Sequence, residues 1–76
     1  MGAINQHDRV VLTVDLPTEK LASGDVGTVV HVYRNGAAFE VEFVSLDGEI
    51  VAVVTLESAQ VRPVARREIT HARQVA

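Results

Sequence analysis

The amino-acid sequence predicts an all-β fold, a small barrel built from five short strands. Three observations support this class. Short runs rich in Val alternate between apolar and polar positions, as half-buried strands do. Asn-Gly and Asp-Gly pairs separate some of these runs, and such pairs are typical of tight turns between antiparallel strands. The chain has 76 residues, 47% of them hydrophobic, which is enough for one compact core and too few for a second.

A long loop separates the first two predicted strands. Residues 8–14 form the first strand, because β-branched residues dominate this run. Residues 15–25 form the loop, which closes on Gly24. The second strand covers residues 26–33, and Gly27 inside it marks a bulge, a sharp bend or a close approach of two backbones.

Two tight turns connect the next strands. Asn35-Gly36 predicts a hairpin, because a type I′ turn needs positive φ at both central residues. The third strand, residues 39–44, alternates cleanly and is predicted to be half-buried. A turn at Gly48 then leads to a fourth strand, residues 49–56, whose nearly continuous apolar run predicts partial cover on both faces.

The last strand is short and is followed by a tail. Residues 57–60 predict a single 3-10 turn, and Pro63 restricts the strand at residues 61–64 to a sheet edge or a strand end. This order of elements resembles SH3-like barrels. Residues 1–64 are therefore predicted to form one five-stranded SH3-like β-barrel domain. Residues 65–76 are predicted to be a basic C-terminal tail, frayed and flexible or docked as a short helix.

Charge is unevenly distributed along the chain. The net charge is −3, but residues 1–64 contain four basic and nine acidic side chains, whereas residues 65–76 contain three Arg and one Glu. Nucleic-acid affinity depends on several phosphate contacts from Lys and Arg. The acidic body therefore argues against nucleic acid as a partner.

Composition excludes further classes. The sequence contains no Cys, which removes disulfides, thiolate nucleophiles and Cys-based zinc sites. The first residues lack the pattern of a signal peptide, and no apolar run approaches the length of a membrane span. We expect a cytoplasmic protein with no membrane association.

One group of residues offers weak catalytic chemistry. Glu40 and Glu42 share one face of the third strand, and His31 lies across the Asn-Gly hairpin from them. A solvated outer face explains the same alternation, and two ligands on an open strand face bind zinc weakly, because a tight site needs three or four. The Gly24 to Thr28 run lacks the Lys of a phosphate-binding loop and precedes a strand. We expect no catalytic residue, cofactor or metal.

Several segments carry a family resemblance. They are Asp8-Arg9-Val10-Val11-Leu12, Asp15-Leu16-Pro17, Gly24-Asp25-Val26-Gly27-Thr28-Val29-Val30 and Glu40-Val41-Glu42-Phe43. Over residues 4–64 the sequence resembles short bacterial proteins grouped as domain of unknown function 4926. The resemblance implies the barrel fold and a non-catalytic role, and it names no ligand. Similar members tend to be encoded beside other small genes, including toxin-like ones, which implies a protein partner.

The leading functional hypothesis is a protein-interaction module that binds a protein partner or a second copy of itself. The apolar fourth strand motivates it, because contiguous exposed apolar patches usually mark interfaces. The candidate interaction residues are Val51, Val53, Tyr33, Arg66, Arg67 and Arg73. The residues predicted to serve turns and strand geometry are Gly24, Gly27, Asn35, Gly36 and Gly48. The alternative hypothesis is weak nucleic-acid binding through the basic tail.

Overall fold

The computed structural model describes residues 3–75, and it confirms the all-β class. Five strands form one antiparallel sheet: β1 (Arg9–Leu12), β2 (Val26–Tyr33), β3 (Ala38–Val44), β4 (Ile50–Glu57) and β5 (Val61–Pro63). The order across the sheet is β4-β3-β2-β1-β5. Because β5 pairs with β1 rather than with its neighbour β4, the sheet curls into a small barrel-like fold with β4 and β5 at its two edges.

The core lies on the inner face of this sheet. Alternation along β3 buries Phe39, Val41 and Phe43, each at most 3% exposed, as the sequence predicts. Among the described residues no charged or polar side chain is buried with them. The core cluster comprises Val10, Leu12, Leu21, Val29, Phe39, Val41, Phe43, Leu56 and Val61. Burial of these side chains is the main source of stability for so small a domain.

The first strand is shorter than predicted. It ends at Leu12 instead of residue 14, because the chain then bends into the first loop. The loop closes on itself where Leu16 pairs with Leu21, with a 3-10 turn at Pro17–Glu19 between them. Leu21 is thereby brought into the core.

The β2–β3 connection contains the predicted positive φ angles. Asn35 has φ of 56° and Gly36 has φ of 99°, and the Ala37 N–H donates to the Arg34 carbonyl at 3.3 Å. Arg34 also has a positive φ, of 49°. The loop between paired residues therefore has four residues instead of two, since the last pair of the ladder is Tyr33 with Ala38.

Gly27 lies where two backbones approach closely. A Cβ at this position would come within 2.6 Å of Val41 Cγ1, 2.9 Å of Phe43 Cε2 and 3.0 Å of the Glu42 carbonyl oxygen. Of the three explanations that the sequence allowed, close approach is the one observed. The bulge in β2 lies further along, at Val30, where the register with β3 shifts.

The described tail, residues 65–75, is irregular and contains no helix. It does not form the docked short helix that the sequence left open as an alternative to a frayed tail, and it folds back on the barrel. Arg62 in β5 pairs with Glu68 at 2.6 Å, and Arg73 pairs with Asp25 at the end of the first loop. These two ion pairs fix the path of the tail.

Candidate functional site

The candidate site is the free edge of the sheet at β4. This strand pairs with β3 along its whole length, and no other strand within residues 3–75 pairs with its outer side. An edge strand presents unpaired N–H and C=O groups that another chain can use to extend the sheet. β4 spans eight residues, which makes this a long edge.

Exposed apolar side chains lie beside this edge. We call this set the hairpin patch: Val44, Leu46, Ile50 and Val53. Leu46 at the tip of the β3–β4 hairpin is 89% exposed, and Ile50 is 62% exposed. Val44 and Ile50 are register partners on the outer face, and Val53 lies further along β4 opposite Glu42. Large apolar side chains grouped in this way mark interfaces more often than isolated ones do.

A bulge determines which β4 residues belong to the patch. Phe43 pairs with Ala52 and Val44 pairs with Ile50, so Val51 is an extra residue in β4. Val51 is half-buried and packs against the core, whereas Val53 is 46% exposed. The two valines that the sequence grouped as interaction candidates therefore have different environments, because the bulge interrupts the alternation.

The surroundings of the patch are acidic. Residues 38–57 contain five acidic side chains and no Lys or Arg. Asp47 and Glu49 lie at the hairpin tip and are exposed, and Glu57 ends β4. A partner that covers this surface is favoured if it carries positive charge, since electrostatic complementarity guides association.

A polar cluster occupies another part of the outer face. Glu40 Oε1 accepts hydrogen bonds from Thr55 Oγ1 at 2.5 Å and from Tyr33 Oη at 3.4 Å. The rings of His31 and Tyr33 meet edge to face with centroids 4.5 Å apart. His31 is also the register partner of Glu40 on the neighbouring strand. The structure therefore places His31 beside Glu40, as the sequence suggested, and adds Tyr33, which the sequence considered separately.

Electrostatics in this cluster act on Tyr33. Partial desolvation raises the pKa of the Tyr33 hydroxyl above 10.0, and the negative charge of the nearby Glu40 carboxylate adds a smaller increase. A raised pKa keeps the phenol protonated and makes it a weaker nucleophile at neutral pH. The cluster is well suited to accept and donate hydrogen bonds on an open surface. Across residues 3–75 the structure contains no group of three or more His, Asp or Glu side chains that could hold a metal ion.

The three candidate arginines of the tail have different surroundings. The Arg73 guanidinium is engaged by Asp25. Arg66 and Arg67 form a turn after β5 and are exposed, and Arg67 has a positive φ of 62°. Among the arginines in the described part of the tail, Arg66 and Arg67 are the two whose charge is not paired with an acidic side chain.

Sequence reasoning missed most of the hairpin patch. Val44 and Ile50 belong to runs that the sequence assigned to strands, and Leu46 precedes the Asp47-Gly48 turn. A large apolar residue next to a tight turn is a signal that was available. The sequence contains no signal that β4 is an edge strand, because that position depends on the pairing of β5 with β1.

Comparison with known proteins defines the family. The family described as "Domain of unknown function (DUF4926)" matches residues 6–63, which include all five strands. The chain belongs to this family. The DUF4926 assignment confirms the resemblance found in the sequence, and the match ends before the tail. A search of the curated proteins and of the solved structures found no match. Within the described residues of this DUF4926 chain, no helix has the length and apolarity needed to cross a bilayer.

Proposed function

We propose that the protein is a non-catalytic protein-interaction module that binds an extended segment of a protein partner along β4. The observation that carries this proposal is the long unpaired edge of β4 with the hairpin patch beside it. A strand added to this edge would satisfy the backbone groups, and its side chains would cover the patch.

The charge of this surface favours a basic partner over a second copy of the chain. Two copies that paired antiparallel about Val53 would place Glu49 of one copy against Glu57 of the other. Like charges opposite each other destabilise a strand pair. A strand with apolar residues flanked by Lys or Arg meets both the patch and its acidic surroundings, so the partner is inferred to be basic.

Nucleic-acid binding through the tail has less support. Arg73 is engaged by Asp25, which leaves Arg66 and Arg67 as the arginines of the described tail that form no ion pair. Non-specific binding of nucleic acid normally relies on more phosphate contacts than two. A filter-binding assay at low salt tests this alternative, and salt-sensitive binding that requires Arg66 and Arg67 would favour it over the protein partner.

Site-specific photo-crosslinking in the source cells tests the proposal. A photoreactive phenylalanine analogue is placed at Ile50, at Leu46 or, as a matched control, at Ala59, which is exposed but lies in the 3-10 turn at Ser58–Gln60. We expect one partner protein crosslinked from Ile50 and Leu46 and none from Ala59. Equal crosslinking from all three sites, or none from any, would contradict the proposal. A crosslinked dimer of the chain itself would replace the basic partner by a second copy.

A further inference from the structure

The tail arginine is held in a specific site at the end of the first loop. Arg73 Nε donates to Asp25 Oδ1 at 2.8 Å, and Arg73 Nη2 donates to Asp25 Oδ2 at 2.5 Å. The same Nη2 also donates to the Lys20 carbonyl at 3.0 Å. This is the bidentate geometry by which a guanidinium is distinguished from an ammonium group.

The first loop orients the Asp25 carboxylate without help from the tail. Asp25 Oδ2 accepts a hydrogen bond from the Ala22 N–H at 2.8 Å, and the Asp25 N–H donates back to the Ala22 carbonyl at 3.0 Å. Lys20 adopts a left-handed conformation, and its N–H donates to the Pro17 carbonyl at 3.0 Å. Because these bonds are internal to the loop, we expect the carboxylate and the Lys20 carbonyl to keep their places when the arginine leaves.

An open groove of about 630 Å³ adjoins the site. One wall is the first loop, another is the β3–β4 hairpin with Leu46 and Ile50, and Thr70 to Val75 of the tail run along it. Val75 is half-buried, whereas Ile69 is 91% exposed. The described tail makes no strand pair with the sheet, and Arg73 connects it to the groove through Asp25 and the Lys20 carbonyl.

We propose that Asp25 and the Lys20 carbonyl form an arginine-binding site for an extended basic segment of a protein partner, and that Arg73 is its intramolecular ligand. The tail itself indicates the chemistry of that segment: an arginine followed two residues later by an apolar residue, as in Arg73 and Val75. The acidic body, with nine acidic and four basic residues in 1–64, favours such a ligand.

An arginine of the partner and Arg73 of the tail would compete for Asp25. A partner arginine that takes Asp25 releases the tail from the groove and uncovers the side of the hairpin patch that faces it. The assignment of a protein partner rests on the proposed function, but the arginine site itself does not, since it can be measured with a peptide. Loss of crosslinking at Ile50 and loss of peptide binding at Asp25 are therefore distinguishable results.

Peptide binding to a full-length variant tests the site. Arg73→Ala empties it, and an acetylated, amidated peptide with the sequence of residues 69–75 serves as the probe. We expect saturable amide chemical-shift changes at Asp25, Ala22 and Leu21 of the labelled variant. Wild-type protein should bind the same peptide at least 5-fold more weakly, because its own arginine competes.

Matched controls separate a specific site from general attraction between charges. The same peptide with citrulline in place of arginine, and the double variant Arg73→Ala, Asp25→Asn, should each lose at least 5-fold in affinity. Asp47→Asn in the Arg73→Ala background makes the same charge change in the same groove and should retain binding. Equal affinity for the citrulline peptide, or equal losses from Asp25→Asn and Asp47→Asn, would overturn the proposal. So would the absence of any shift in a variant whose spectrum shows it to be folded.

Discussion

At the scale of single residues, Gly27 and Gly36 are required for different physical reasons. Gly27 has no room for a Cβ, which would come within 2.6 Å of Val41 Cγ1. Gly36 has open space around it, but its φ is 99°. Overpacking of a core and strain at positive φ each cost about 1 to 3 kcal/mol. A residue that tolerates positive φ, such as Asn, should therefore reduce the stability less at position 36 than at position 27.

Substitution by Asn separates these two causes. Asn tolerates positive φ more readily than most residues, so Gly36→Asn should lose less stability than Gly36→Val, which should lose about 1 to 3 kcal/mol. Gly27→Asn and Gly27→Val should both be destabilising, because each adds atoms to a filled space. Chemical denaturation of the four variants measures this. Equal losses from Gly36→Asn and Gly27→Asn would contradict the assignment.

The outer-face carboxylates are expected to matter little to stability. Glu40 and Glu42 are half-buried on the solvent face, and a Gln at position 40 still accepts the Thr55 hydrogen bond. Glu40→Gln and Glu42→Gln should each change the free energy of unfolding by less than about 0.5 kcal/mol. A loss several times larger in thermal melts would mean that these carboxylates belong to a buried site.

The ion pair between Arg62 and Glu68 is expected to be visible in the titration of Glu68. Its hydrogen bond with Arg62, assisted by the Ala65 N–H, lowers the pKa of Glu68 from 4.5 to about 2. A lowered pKa stabilises the folded state above pH 4.5, and that contribution disappears as the pH falls towards 2. NMR titration should show this pKa, and Arg62→Ala should move it upward. A pKa of Glu68 that is the same in both proteins would show that the ion pair does not form in solution.

At the scale of elements, the tail is expected to dock in a pH-dependent manner. The Arg73 hydrogen bonds lower the pKa of Asp25 below 3.8, although partial burial acts in the opposite direction. The docked tail is therefore favoured above pH 3.8 and is released as the pH falls through the lowered pKa. Chemical shifts of Thr70 to Val75, followed by NMR, should report the release. Arg66→Ala leaves the Asp25 contact in place and should not change it, whereas Arg73→Ala should abolish the transition.

The strands show how much of the fold local sequence determines. β2 has the predicted bounds, because residues 26–33 combine β-branched residues with a turn signal at each end. β3 has the predicted buried face for the same reason. The contact of Arg73 with Asp25 joins residues 48 positions apart, and no local pattern encodes it. The bulge at Val51 was also beyond prediction, since it depends on how two strands pair.

At the scale of the whole molecule, the order β4-β3-β2-β1-β5 leaves β4 at an edge of the sheet, where we propose that a partner binds. The core residues pack against one another on the inner face of the sheet. The outer side of the long edge strand β4 has no strand paired with it within the described residues. The proposed partner site was predictable in part, as an apolar fourth strand. Its location at an edge and the contact of Arg73 with Asp25 beside it depend on the assembled sheet, whereas its acidic surroundings can be read from residues 38–57 of the sequence.

Amide hydrogen exchange along β4 tests the central claim most directly. Alternate amides of an edge strand point away from the sheet and lack a partner. In the free protein these β4 amides should exchange fast, and in the complex with the protein crosslinked from Ile50 they should become protected, because an added strand accepts their hydrogen bonds. Protection that appears elsewhere while the outward β4 amides remain fast would contradict binding at this edge.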